Sequence, residues 1–193
     1  MSRPLIGALI GLLIGGAAAY VLFRPSPSPA VDPVRNVRVY RVPPTGAPRP
    51  VARRPAPDFD LPSLRGGRLH LSDFRGQIVL LNFFASWCAP CAAEVPELQR
   101  AYENHRRHGV VVLGVAILDE FTEAQAFLAR HRLTYPAVFD QGNRMMERYQ
   151  VVGLPTSVFI DPSGQITSRF VGPFLGPAGV AELERRLAEA GRR

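Results

Sequence analysis

Cys88 and Cys91 are the only two cysteines among 193 residues, and they stand in the stretch SWCAPCAAEVP (86–96). Three chemistries use cysteines at this spacing: a covalent staple, half of a metal site, or a redox pair that opens and closes. Closing a four-residue loop removes only about 2 kcal/mol of unfolded-chain freedom before strain is counted, so a staple here gains little. His105 and His108 complete a CxxC…HxxH pattern that resembles a zinc site. A helix across 89–108, however, puts His105 about 21 Å from Cys91 at ~1.5 Å per residue, too far to share one ion. Both histidines are then expected as solvated residues at the helix end, beside Arg106 and Arg107.

The redox pair suits its surroundings better. The apolar run LLNFFA ends at Ser86 and Trp87, and Cys88 then opens a helix, where unpaired backbone N–H groups and the helix dipole favour a thiolate. Cys91, three positions on, is its neighbour on the same face at a Cβ separation of ~5–6 Å, within reach of a disulfide. Pro90 is tolerated because first-turn N–H groups have no helical partners to lose. Cys88 is therefore the candidate nucleophile and Cys91 the resolving thiol, exchanging through a mixed disulfide. That chemistry calls for no cofactor and no metal.

The elements that must position the pair follow from the hydrophobic pattern. QIVLLNFFA (77–85) and VVVLGVAIL (110–118) are uninterrupted apolar runs of strand length, as expected of central parallel strands covered on both faces. The helix over 89–108 lies between them. TEAQAFLARH (122–131) predicts a second helix, with Thr122 and Gln125 spaced as a capping box. YPAVFD, a short helix around NRMMERY, and the strands TSVFI and QITSRFV follow. DPSG (161–164) joins those strands, with Pro and Gly at its second and fourth positions. GPAGVAELERRLAEAG closes the chain as an amphipathic helix with Pro177 in its first turn. Alternating strands and helices with a late hairpin predict an α/β layered domain.

The front of the chain has another composition. Pro4 to Phe23 holds twenty residues without a charge, about 30 Å of helix, and predicts a membrane segment, retained as an anchor in preference to a cleaved signal. Gly7, Gly11, Gly15 and Ala19 fall four apart, as in small-residue packing motifs. Residues 24–55 read as a Pro- and Arg-rich spacer, and the globular domain is expected over 56–193. The formal charge of +7 resides entirely in the first 54 residues, with eight Arg against Asp32. The remainder balances fifteen Arg with fifteen acids, so the domain carries no electrostatic footprint for nucleic acid.

NFFASWCAPC and the downstream GLPTSVFID resemble the thioredoxin superfamily, and within it the membrane-tethered thiol:disulfide oxidoreductases of the TlpA, ResA and CcmG (DsbE-like) group. The resemblance covers about residues 56–190. It implies a thioredoxin-like fold with a central mixed sheet flanked by helices, and a βα insertion over Val110 to Asp140. It makes Pro155 a cis-proline facing the cysteines. Trp87, Pro90, Leu154, Pro155 and Thr156 become the substrate-facing set. Asn82 stands where cytoplasmic thioredoxins carry a buried Asp, so another acid must serve the resolving thiol. CAAEVP matches the group's CxxExP motif and offers Glu94, one helical turn from Cys91, as a buried carboxyl of raised pKa. Pro96 is expected to bend that helix. The acids of DEF (119–121) are read as solvated loop residues.

The implied activity is thiol:disulfide exchange outside the cytoplasm, reducing client proteins such as apocytochrome c or a copper-site protein. Two cysteines alone cannot relay electrons across a membrane, so the resemblance also implies a membrane thiol-reducing donor. The expected location is the inner membrane, by a single pass, with the domain facing the periplasm. Arg24, Arg35, Arg38 and Arg41 after the apolar segment oppose that orientation under the positive-inside rule. Two rivals remain on the same fold: a copper-binding chaperone, whose Sco-type motif is CxxxC, and a peroxidase of the peroxiredoxin group, whose nucleophile lacks the Trp and the close partner cysteine.

Overall fold

The structure, a computed structural model, describes residues 54–192. Its strands are β1 (Arg54–Pro55), β2 (Asp60–Pro62), β3 (Arg68–His70), β4 (Ile78–Phe84), β5 (Val110–Ala116), β6 (Ala137–Phe139), β7 (Thr156–Ile160) and β8 (Gln165–Val171). The helices are α1 (Ala89–His105), α2 (Phe121–Arg130), α3 (Arg144–Arg148) and α4 (Gly176–Ala190). Six strands form one mixed sheet in the order β1-β8-β7-β4-β5-β6. The two apolar runs become its centre: β4 and β5 lie parallel, from Ile78 opposite Val110 to Phe84 opposite Ala116. β6 extends the parallel set at one edge, while β7, β8 and β1 are antiparallel on the other side.

Because side chains alternate along a strand, β4 and β5 feed two cores. Val79, Leu81, Phe83, Val111, Leu113 and Val115 point to one face, with Met145 and Tyr149 around α3. Leu80, Phe84, Val112 and Ala116 point to the other, beneath α1, α2 and α4 through Val95, Leu98, Phe127, Leu183 and Leu187. On this second face the apolar pattern breaks at Asn82, which is buried opposite Gly114 of β5 and Ser157 of β7.

Several expectations are corrected in detail. The capping box at Thr122 and Gln125 does not form: Glu120 is the N-cap and the helix starts at Phe121. Thr122 is thus already helical, and the Gln125 amide donates instead to the Leu64 carbonyl at 2.9 Å. His105 is half-buried rather than solvated, because the end of α1 packs near α4 and its Nε2 meets the Glu184 carboxylate at 2.9 Å. Arg54 and Pro55 pair with Ile166 and Gln165 of β8, so the sheet begins ahead of Ala56. A proline is tolerated there because the strand is an edge. The β2–β3 hairpin, with Leu61 opposite Leu69, is a separate two-stranded sheet whose three-residue strands are too short to leave a pattern. Pro96 lies inside α1, which runs on to His105. The predicted membrane segment and most of the spacer fall in residues 1–53, outside the described residues. Among the described residues no helix is long and apolar enough to cross a membrane.

Candidate active site

β4 delivers the chain to Ser86, and α1 begins at Ala89 with Cys88 as its N-cap in extended conformation (φ −82°, ψ 101°). The Cys88 Sγ takes the place of a capping oxygen and accepts the Cys91 N–H at 3.2 Å. That N–H is one of the donors that the first turn of the helix leaves without a helical partner. Cys88 and Cys91 form a disulfide with Cα atoms 5.2 Å apart. Both are buried, at 5% and 2% exposure.

One turn after Cys91, Glu94 is fully buried at 0% exposure. Its Oε1 accepts from the Asn82 amide at 2.7 Å, and its Oε2 accepts from the Phe174 backbone N–H at 3.1 Å. Asn82 also donates to the Ser157 hydroxyl at 3.2 Å. Desolvation by burial raises the carboxyl to about 7, and the bonds from Asn82 and Phe174 hold it from rising further. Burial also pushes the Tyr135 phenol up, helped by the charge of Glu94. Gly114 gives close room to Phe84 and Ala137, since an added Cβ would stand 3.1 Å from the Phe84 ring and 3.1 Å from the Ala137 Cβ. A carboxyl poised near neutrality, one helical turn from Cys91, can accept or donate a proton at working pH.

On the solvent side, a groove of about 460 Å³ runs along Trp87, Cys88, Pro90, Leu118, Met146, Val152 and Leu154. Trp87 and Val152 are its most exposed apolar walls, at 63% and 84%. Trp87 is fixed in spite of that exposure, because its indole N–H donates to the Leu118 carbonyl at 2.8 Å. Leu118 has φ +52°, an unusual conformation for a branched residue. The Asn143 side chain accepts its N–H at 2.6 Å. Next to it, the Asp119 carboxylate accepts from the Ser86 N–H at 2.6 Å, the Ser86 hydroxyl at 2.7 Å and the Glu120 N–H at 2.9 Å. Asp119 is therefore not a solvated loop acid. It ties the turn after β5 to the turn that presents Cys88.

The Leu154–Pro155 bond is cis. The structure thus gathers Trp87, Pro90 and Leu154 around Cys88. Pro155 and Thr156 are buried at the start of β7, where the Thr156 hydroxyl donates to the Gly153 carbonyl at 2.6 Å. His105 and His108 are not part of this cluster: the first pairs with Glu184, and the second is exposed in the 3-10 turn after α1. Residues missed from sequence are Ser157, Phe174, Asp119, Asn143 and Tyr135. A polar residue inside the strand TSVFI was a signal for Ser157. Phe174 acts through its backbone, which no residue type announces.

Residues 52–169 match the AhpC/TSA family. Over 117 residues the chain is 37% identical to the thiol-disulfide oxidoreductase ResA of Geobacillus kaustophilus, covering 61% of this chain and 67% of that protein. A crystal structure from Chlorobium tepidum, assigned as a thiol:disulfide interchange protein DsbE, superposes with a TM-score of 0.67 at 33% identity, covering 75% of this chain and all of that one. A secreted disulfide oxidoreductase of Mycobacterium tuberculosis, homologous to DsbE, matches with a TM-score of 0.59 at 25% identity over 67% of this chain and 94% of that one. With a thioredoxin-like fold, a CxxC disulfide at the head of α1 and these relatives, the chain belongs to the AhpC/TSA family and is a thiol:disulfide oxidoreductase of the ResA and DsbE-like kind.

Proposed function

We propose that this oxidoreductase reduces disulfides of client proteins outside the cytoplasm, with Cys88 as nucleophile, Cys91 as resolving thiol and Glu94 as the acid/base serving Cys91. In the reduced protein the Cys88 thiolate attacks a client disulfide. One client sulfur bonds to Cys88 and the other leaves as a thiolate. Glu94 takes the Cys91 proton, and the Cys91 thiolate then attacks the Cys88 Sγ. The client's second sulfur departs, the Cys88–Cys91 disulfide closes, and two electrons have passed to the client, whose thiolates recover protons from Glu94 and water. The observation that carries the assignment of Glu94 is its complete burial one helical turn from Cys91, with a carboxyl near 7.

The apolar groove beside Cys88 suits an extended client segment with a non-polar side chain next to its cysteine, bounded by Trp87, Pro90 and the Leu154–Pro155–Thr156 segment. The resemblance to the ResA and DsbE-like group suggests apocytochrome c or a copper-site protein as the client. Regeneration requires a membrane thiol-reducing donor; the apolar Pro4–Phe23 segment supports a single-pass inner-membrane anchor, and the likeness to a secreted disulfide oxidoreductase supports the periplasmic side for the domain. A Cys91→Ser variant expressed in the native membrane tests the reading. Mixed disulfides through Cys88 with periplasmic cysteine proteins are the expected catch; adducts confined to cytoplasmic proteins contradict it.

A further inference from the structure

The Phe174 N–H that reaches Glu94 lies against a helix position that carries no side chain. Leu175 is the N-cap of α4, so Phe174 is the residue before the cap and Gly179 is the fourth helical position. In many helices apolar side chains at these two positions pack together and set the angle at which the chain enters. Here the fourth position is bare. A Cβ built on Gly179 would stand 2.7 Å from the carbonyl carbon of Phe174 and 3.0 Å from its Cα, distances that backbone atoms do not tolerate. The Phe174 main chain thus lies directly against the first turn of α4, where Gly179 N–H donates to Leu175 at 3.1 Å. Its ring is stacked on Phe170 at 4.4 Å, and Arg186 lies over Phe170 at 5.2 Å.

We propose that Gly179 is a positioning residue for thiol:disulfide exchange: by carrying no Cβ it lets the Phe174 backbone settle against α4 and hold its N–H on Glu94 Oε2. The claim rests on the reading of Glu94 as the acid/base. An amide N–H stabilises the carboxylate over the acid, so this contact keeps a buried carboxyl available to ionise near neutrality. Around Glu94 stand Asn82 on β4, which donates to it, Ser157 on β7, which is bonded to Asn82, Cys91 one turn away on α1 and the Tyr135 phenol ahead of β6. From α4, Arg186 is engaged by Glu182 behind the phenylalanine stack. Of these, only Cys91 and Tyr135 exchange protons, and the Tyr135 phenol is pushed up and stays neutral through the working range. A change at Gly179 therefore acts on the carboxyl through Phe174.

Gly179→Ala is the test, since alanine favours a helix interior over glycine and the variant should fold. Carbon-13 NMR of the labelled Glu94 carboxyl should show its midpoint raised by roughly one to two pH units, the loss of one hydrogen bond to a charged group. The pH profile of disulfide exchange should move with it. An unmoved carboxyl midpoint overturns the proposal and leaves the acid/base reading intact, provided that Glu94→Gln still alters the exchange profile. A Glu94→Gln profile identical to the parent's removes the acid/base reading instead, and with it a role for Gly179 in exchange. The unaltered protein supplies a second measurement that needs no variant. The Phe174 amide resonance should titrate with the Glu94 midpoint, and a flat resonance across that midpoint also overturns the proposal.

Discussion

The two faces of the central sheet are built from the same strands and do different things. Toward α3, β4 and β5 contribute Val79, Leu81, Phe83, Val111, Leu113 and Val115, an unbroken apolar layer. Toward α1 and α4 the layer is interrupted by Asn82, Ser157 and Glu94, joined by hydrogen bonds and sealed from water. Both faces are packed apolar cores, but only the second also encloses a buried carboxyl near neutrality, one helical turn from Cys91, at the point where the apolar pattern fails.

The largest effects should separate the faces most sharply. Cys88→Ser abolishes disulfide exchange and Cys91→Ser leaves clients trapped, both in proteins that melt as a cooperative domain; an insulin-reduction assay with calorimetry checks both halves. Phe83→Ala should do the reverse. It empties a fully buried site on the apolar face and costs about 3–5 kcal/mol in denaturant unfolding, while the pH profile of exchange keeps its shape. A profile that moved in Phe83→Ala would mean that the two faces are not independent.

Glu94→Gln should show the cost of the polar face. The folded carboxyl near 7 lies above its ordinary 4.5, so between those values the folded state holds a proton that the unfolded chain has released. Stability contributed by the protonated form is complete below pH 4.5 and is lost as pH rises through 7, a difference of about 3 kcal/mol. The glutamine variant lacks this slope. It should be more stable than the parent at pH 8, by about 1–3 kcal/mol once altered hydrogen bonds are counted, and slower in exchange by roughly 10- to 100-fold. Melting temperatures of the two proteins that fall in parallel from pH 5 to pH 8 would contradict it.

Smaller effects belong to the rim. Asp119→Ala should cost about 1–2 kcal/mol by freeing the Ser86 N–H and hydroxyl. It should also shift the emission of Trp87, the single tryptophan, as the turn holding Leu118 loosens. Unchanged emission would place Asp119 outside the site. The His105–Glu184 pair, partly exposed on both sides, should contribute less than about 1 kcal/mol.

Much of this was legible because it is local. The strand-then-helix pattern puts Cys88 at the start of a helix from residue types alone, as the structure has it, and the CxxExP resemblance leads to Glu94. The partners of Glu94 were less visible. Asn82 stands out as a departure from a family pattern, but Ser157 reaches Asn82 from 75 positions further along the chain and Phe174 reaches Glu94 from 80, separations that no helix or strand period encodes. Asp119 was misread because a loop acid following a strand resembles any solvated residue. Only the fold shows that the turn before α1 lies within hydrogen-bond distance. The Thr122 and Gln125 spacing failed for a related reason, since Glu120 starts α2 ahead of Thr122 and Gln125 has a tertiary partner in Leu64.

If the buried Glu94 carboxyl handles the proton of the resolving thiol, its titration must appear in the rate of exchange. The most direct measurement is the pH dependence of the rate at which the reduced protein reduces a small-molecule disulfide, from pH 5 to pH 9, in the parent and in Glu94→Gln. The parent should show a break near pH 7 that the variant lacks, with the two rates furthest apart where Glu94 is ionised. Superimposable profiles across the whole range would contradict the claim.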